Sequence, residues 1–224
     1  MKRTTVLLAD DHPLVLEGLR GVLQYDFEVV GAVSNGIELV KSVKEHRPDI
    51  VIVDVSMPFL NGIEGARQIR TINHEIRIIF LSMHPEVVYV VEAIRAGGSA
   101  YVLKSAAGIE IVTAIHAVLR GETFISPKID RTAVDTQIKP SPRSTPQPDR
   151  LSPRRRTVIQ MVAEGRSTKE IATLLQISPR TVEVHRHNAM ESLGLHSLAE
   201  LVQYAIRHRM VPLEMAVDPF PMDT

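Results

Sequence analysis

Five short apolar runs punctuate the first half of the chain: Val6–Ala9, Phe27–Val30, Ile50–Val53, Ile76–Leu81 and Ser99–Leu103. They are rich in β-branched residues and nearly continuous in apolar character, the pattern of parallel strands buried on both faces. Between and after them, apolar residues recur at helical spacing over Leu14–Leu23, Ile37–His46, Gly62–Ile72, Glu86–Ala96 and Ile109–Arg120, with Gly97-Gly98 and Gly121 as stops. Five βα units predict a doubly wound parallel sheet.

The second half has only the longer period. Leu151-Ser-Pro-Arg opens a helix with Ser152 as N-cap and Pro153 at the first helical position. Gly165 ends it. Ser167 with Glu170 forms a capping box for a second helix. Ser178 after Ile177 caps a third, and His196-Ser197 precedes a fourth of about ten residues. Four short helices, two of them joined by a tight turn, predict a small all-α helix-turn-helix domain. In the third helix Val182, Ala189 and Leu193 form the inward stripe, with Arg186 near it. Arg180, Glu183, Val184, His187 and Glu191 form the outward one.

Between the halves, Ile138–Asp149 holds four prolines and few apolar side chains, so it reads as an extended linker. The expected organisation is an α/β domain over 1–128, a flexible linker over 129–149, a helical domain over 150–212 and a disordered tail over 213–224. Composition is that of a globular protein: 44% hydrophobic and 23% charged among 224 residues. Its 26 basic and 26 acidic side chains balance to zero, but unevenly. Residues 1–128 carry thirteen Lys/Arg against fifteen Asp/Glu, and 150–212 carry ten against five. The basic surplus therefore coincides with the helix-turn-helix, where a polyanion would bind. No cysteine is present, which excludes disulfides, thiolate metal sites and cysteine nucleophiles. No apolar run reaches the ~18 residues of a membrane span, and Met1–Thr5 leads straight into a strand, so a cytoplasmic protein without membrane partners is expected.

The chemistry-bearing residues of the first half collect at strand ends. Strand one finishes in Asp10-Asp11, strand three in Asp54, strand four in Ser82 and strand five in Lys104. Any one of these carboxylates alone reads equally well as a helix cap. Together they put three carboxylates, a hydroxyl and an amine on the rim where such sheets bind ligands. Clustered carboxylates repel unless a cation lies between them. Oxygen donors on a rigid turn favour Mg²⁺. A lysine opposite the metal leaves room for a phosphoryl group between two positive charges. The implied chemistry is phosphoryl transfer to a carboxylate.

Over about residues 4–123 the sequence resembles the receiver domain of bacterial two-component response regulators. The likeness rests on Asp10-Asp11, Asp54-Val-Ser-Met-Pro58, Asn61-Gly62, Ser82 and Tyr101-Val-Leu-Lys104. The resemblance implies Asp54 as phospho-acceptor and Mg²⁺ held by Asp11, Asp54 and the Ser56 carbonyl, with help from Asp10. It further implies that Lys104 and Ser82 grip the phosphoryl oxygens and that Tyr101 is the aromatic of the switch. Lys104 is followed by Ser105 where many receivers have proline.

Residues 150–210 resemble the LuxR/FixJ-type DNA-binding domain through Leu151-Ser-Pro-Arg, Lys169-Glu-Ile-Ala172, Thr181-Val-Glu-Val-His-Arg-His-Asn188, Leu193-Gly-Leu and Ala199-Glu-Leu. The whole chain is thus similar to the NarL/FixJ regulators. That likeness implies a sensor histidine kinase as phosphodonor, promoter DNA and a phosphorylation-dependent homodimer as partners, with RNA polymerase within reach. No turnover of an external substrate is expected. Lys169, Arg180, Thr181, Glu183, Val184, Arg186 and His187 become the expected DNA contacts, Glu183 as a reader of cytosine N4. Leu198, Leu201, Val202 and Ala205 become the expected dimer surface. Arg155, Ala189, Ser192 and Leu198 depart from the family's usual residues. Two alternatives stay open: a receiver that only dimerises, without phosphorylation, and an aspartyl-nucleophile phosphatase. The phosphatase would need an Asp-x-Asp on strand one, which is absent.

Overall fold

A computed structural model describes residues 3–138 and 151–211. They belong to two compact units, described separately.

The first unit is built on a parallel sheet of β1 (Thr5–Ala9), β2 (Glu28–Val33), β3 (Ile50–Asp54), β4 (Arg77–Ser82), β5 (Ala100–Leu103) and β6 (Phe124–Ile125), in the order β2-β1-β3-β4-β5-β6. The alternation of side chains along each strand splits its apolar run between two cores. On one face Val6, Leu8, Ile50, Ile52, Ile79, Leu81 and Val102 meet α1 (Pro13–Leu23) and α5 (Ala107–Leu119). On the other, Leu7, Val51, Val53, Ile78, Phe80 and Tyr101 meet α2 (Gly36–His46), α3 (Gly62–Ile72) and α4 (Val87–Arg95). Burial on both faces is why the strands read as unbroken hydrophobic runs. Gly97 and Gly121 adopt positive φ just past α4 and α5, as expected of helix stops.

Two elements depart from the sequence-based expectation. The sheet has a sixth strand, too short at two residues to leave a periodic signature. The second is more consequential. The stretch expected to be flexible linker from 129 onward is folded in its first part: α6 spans Arg131–Ile138. Ile129 and Val134 are buried in the core cluster that also holds Val90 and Val91 of α4, with Ile138 packed against it. Ala133 N–H bonds to Asp130 Oδ1, which caps the helix start, and Arg95 Nη2 donates to the Gln137 carbonyl at 2.8 Å. The reason is burial: isoleucine and valine at 129, 134 and 138 supply one apolar stripe, and α4 offers a surface to receive it. The rest of the expected linker, 139–149, and the expected tail, 213–224, lie outside the described residues.

The second unit consists of α7 (Pro153–Ala163), α8 (Thr168–Leu175), α9 (Pro179–Leu193) and α10 (Leu198–Arg207). Each starts on a serine: Ser152, Ser167, Ser178 and Ser197 accept from the backbone N–H of Arg155, Glu170, Thr181 and Glu200. The capping box of Ser167 and Glu170 is complete. Each such cap stabilises a helix by about 1 kcal/mol, a large share for helices this short. Gln176 takes the left-handed conformation that turns α8 into α9, and Gly194 does the same after α9. Leu151, Ile159, Ala189, Leu201, Ala205, Met210 and Val211 form the core. Among the described residues no helix is long and apolar enough to cross a membrane.

If residues 129–138 were linker, truncating Val134 would leave stability unchanged. Because Val134 is fully buried, Val134→Ala is expected to destabilise the first unit by about 2 kcal/mol in a denaturant titration.

Candidate functional site

The strand order fixes where a ligand can sit. β1 is followed in sequence by β2 on one side and joined by β3 on the other, so a crevice opens beyond their carboxyl ends. Asp10 and Asp11 follow β1, Asp54 ends β3, Ser82 ends β4 and Lys104 follows β5. The structure brings these five predicted residues to one rim. Gly62 allows the rim to close: a Cβ there would fall 2.0 Å from the Asp54 carbonyl oxygen. Its N–H bonds to Val55 O at 3.0 Å, while Asn61 caps α3 through the Glu64 N–H. The Asn61-Gly62 pair thus folds the chain tightly back over the end of β3.

Lys104 Nζ lies 2.8 Å from Asp10 Oδ2 and 2.9 Å from Asp54 Oδ2, with all three side chains almost fully buried. Burial pushes the Asp54 carboxyl up to about 6, opposed by Lys104 and by the Ser56 backbone N–H, and assisted by the charge of Asp10. Burial pulls Lys104 downward, but Asp54 and Asp10 outweigh it and hold the ammonium above its ordinary value. The Asp54 carboxylate and the Lys104 ammonium thus stabilise one another's charge in the site. Ser56 reaches Asp54 through its N–H.

Asp10, Asp11, Asp54 and one residue that sequence reasoning passed over, His12, each place a ligand atom within 4.8 Å of the others. His12 Nδ1 is 2.9 Å from Asp11 Oδ1 and 3.1 Å from Asp10 Oδ1. Its adjacency to Asp10-Asp11 was the available signal. Asp11 Oδ1 is buried, and its close neighbour His12 Nδ1 is not aligned to hydrogen-bond it. A buried carboxylate oxygen in that state, beside two further carboxylates, is a donor set that suits a hard divalent cation. A magnesium ion fits these residues.

Ser82 and Tyr101 lie one strand apart. Ser82 is buried, and its Oγ accepts from the His84 N–H at 3.0 Å. Tyr101 is fully buried, not half-buried as an ordinary strand aromatic would be, and its hydroxyl donates to the His84 carbonyl at 2.8 Å. Burial holds that hydroxyl protonated well above the usual range for a phenol.

On the second unit, α9 presents Arg180, Val184 and His187 to solvent, with Val182 and Ala189 turned inward. The expected phase of this helix is the observed one. Lys169 is exposed on α8, and Thr181 and Arg186 are half-buried. Glu183 is already engaged: Oε1 accepts from Thr168 Oγ1 at 2.6 Å, and Oε2 pairs with Arg186 Nη2. Each carboxylate oxygen thus has one partner within the unit, and Glu183 orients Arg186.

The expected dimer surface needs a correction. Leu201 and Ala205 are fully buried among Ile159, Ala189 and Met210, because they form the inward stripe of α10. Leu198 is 55% exposed and Val202 partly so. Only these two of the four stand on the outer side of the helix.

Comparison with known proteins bears on both units. The model of the response regulator receiver domain matches residues 6–116, and that of the bacterial regulatory proteins of the luxR family matches 149–205. The oxygen regulatory protein NreC of Staphylococcus carnosus is 33% identical over 92% of this chain and 98% of its own length. The response regulator UvrY of Escherichia coli is 35% identical over 93% and 96%. Among solved structures, the RcsB response regulator of Salmonella typhimurium aligns at a TM-score of 0.55 with 26% identity, over 91% of this chain and 98% of that one. A complex of RcsB with DNA aligns equally well.

The raised Asp54 pKa has a measurable consequence for stability. A carboxyl that ionises near 6 when folded and near 3.8 when unfolded favours the folded state below pH 4 and loses that contribution as pH rises through 6. Asp54→Asn removes the titration. In magnesium-free buffer the stability of this variant relative to wild type is expected to improve by roughly 2–3 kcal/mol between pH 4 and pH 7, as read by urea titrations at the two pH values.

Proposed function

Because the chain belongs to the response regulators with a LuxR-type DNA-binding domain, the NarL/FixJ family, we propose that phosphorylation of Asp54 by a sensor histidine kinase controls its dimerisation and its binding to promoter DNA. The observation that carries this reading is the Lys104 ammonium held between Asp10 and Asp54 beside Asp11. It supplies an ionised nucleophile, a fixed counter-charge and a donor set for a divalent cation in one place. A receiver serving only as a dimerisation module has no need of that set.

An Asp54 carboxylate oxygen attacks phosphorus, the P–O bond forms, and the P–N bond of a phosphohistidine breaks, its imidazole, already protonated on the other ring nitrogen, leaving neutral with the bonding electron pair. Lys104 then exchanges its bond to the Asp54 carboxylate for a phosphoryl oxygen, so the positive charge is in place before negative charge arrives. Ser82 supplies a hydroxyl to a second oxygen. Asp10, Asp11, Asp54 and the Ser56 carbonyl would hold Mg²⁺, which offsets the charge of the transferring group. This chemistry is stoichiometric, so the chain acts as a transcription factor with a covalent switch.

For the DNA-binding unit, Lys169, Arg180 and Arg186 neutralise phosphates while Thr181, Val184 and His187 face the major groove. RcsB is one similar protein solved in complex with DNA. Leu198 and Val202 of α10 form the contact between two copies, and the receivers pair once Asp54 is phosphorylated. RNA polymerase is the partner reached from the bound dimer.

Incubation with Mg²⁺ and a small-molecule phosphodonor is expected to give an acid-stable, hydroxylamine-labile adduct on wild type and none on Asp54→Ala. Equal labelling of the variant would sink the assignment. Salt titration of DNA binding is expected to lose about 0.9 in slope for each phosphate contact removed, in Lys169→Ala and in Arg180→Ala alike. Val202→Glu is expected to leave the fold intact and abolish paired occupancy of two half-sites in a mobility-shift assay.

A further inference from the structure

The solvent face of α9 has two flanks of different character. Successive helical residues are about 100° apart, so with Val184 at the centre of the face Glu183 stands toward one edge and His185 toward the other. On the Glu183 side α8 is the neighbour: Thr168 bonds to Glu183, Arg186 pairs with Glu183, and Lys169 is exposed next to Thr168. That flank has its own cations. On the other side Thr181, His185, Asn188 and Ser192 share one stripe at helical spacing, and none of them is a lysine or an arginine.

The start of α7 borders this second flank and supplies what it lacks. Arg155 Nη1 donates to Ser192 Oγ at 3.3 Å, and the hydroxyl is turned to accept because its own proton goes to the Asn188 carbonyl at 2.6 Å. Arg154 donates to the Leu175 carbonyl at 2.7 Å, which fastens the first turn of α7 to the end of α8. Burial, then the charges of Arg154 and Arg155, hold the His185 imidazole below its ordinary value, so both guanidinium charges are felt along this stripe. The Ser192 hydroxyl is the one side-chain partner of Arg155 among the described residues. It takes up one of the five N–H donors of a guanidinium. Arg155 and Ser192 both depart from the family's usual residues, so this pairing is particular to the chain.

A helix with its side chains is about 10–12 Å across, and the major groove is about 12 Å wide. A helix lying in that groove therefore brings its two flanks against two different phosphate strands. We propose that Arg155 is a phosphate-binding residue, gripping the DNA strand across the groove from the one met by Lys169, an inference that rests on the DNA-binding reading above. Ser192 aims the guanidinium along the flank, and its remaining N–H donors meet the phosphate oxygens. The sequence-reading face of α9 is then held from both sides, which fixes its register in the groove.

The salt dependence of binding by the full chain tests this, with Mg²⁺ and beryllofluoride present and a fluorescently labelled random-sequence DNA duplex as probe. Arg155→Ala is expected to lower the slope of log affinity against log salt by about 0.9, the loss of one phosphate contact. Arg155→Lys, which keeps the charge, is expected to hold the wild-type slope. The double variant Arg155→Ala/Lys169→Ala is expected to lose about 1.8, as two separate phosphates require. Arg207→Ala, which removes an exposed cation from the last turn of α10, is expected to leave the slope unchanged. The proposal is overturned if Arg155→Ala keeps the wild-type slope. Weaker binding at an unchanged slope would make Arg155 a mere support for α9 through Ser192. It is also overturned if Arg155→Lys loses as much slope as Arg155→Ala, if the double variant loses no more than one single variant, or if Arg207→Ala loses as much, which would make the effect one of net charge. In each of these cases salt-dependent binding by wild type leaves the DNA-binding reading standing. Wild type that does not bind the duplex at any salt removes both.

Discussion

The ion contact of Lys104 with Asp10 and Asp54 is the constraint on which the first unit turns. Three carboxylates at the end of a buried sheet repel one another and resist desolvation. A single ammonium, 2.8 and 2.9 Å from two of them, compensates only part of that repulsion. Burial above all, opposed by Lys104 and aided by the charge of Asp10, leaves the Asp54 carboxyl near 6. Such a pocket is held against its own electrostatics by the hydrophobic layers beneath it, and the surplus negative charge is what attracts a cation. Stability is diminished at the place where chemistry is to occur, a common arrangement in functional sites.

The supporting structure answers that strain with close packing. Gly62 lets α3 begin against the backbone of Asp54, where any Cβ would collide. Ser126, fully buried beyond β6, donates to Glu110 of α5 and accepts from the Leu103 N–H at 2.9 Å, next to Lys104. Its own N–H bonds to the Tyr101 carbonyl. β6 therefore covers the free edge of β5 and anchors the segment that carries both Tyr101 and Lys104. The core does not end with α5; α6 closes it over α4, and the chain toward the DNA-binding unit departs from a packed helix.

In that second unit the polar groups do much of the local work. Four serine caps define four helix starts, and Thr168, Glu183 and Arg186 link α8 to α9 within the helix-turn-helix. Glu183 gains meaning from this network. It is fixed by Thr168 of α8 and sets the direction of Arg186 on α9.

Most of the architecture was legible from period and punctuation. The five long strands follow from apolar runs, the helices from their spacing, and the starts of α7 to α10 from Ser152, Ser167, Ser178 and Ser197, because these are local properties of the chain. The identities of Asp10, Asp11, Asp54, Ser82 and Lys104 as rim residues also follow locally, since each stands at a strand end. What the chain alone could not determine depends on neighbours distant in sequence. Ile129, Val134 and Ile138 look like isolated apolar residues before a proline-rich stretch until α4 supplies a surface for them. Leu201 and Ala205 look as suitable for a partner as Leu198 and Val202 until the phase of α10 against Ile159 and Met210 is known. Glu183 looks unattached until the turn between α8 and α9 brings Thr168 and Arg186 to it. Periodicity tells which side chains share a stripe, and only tertiary packing decides what that stripe faces.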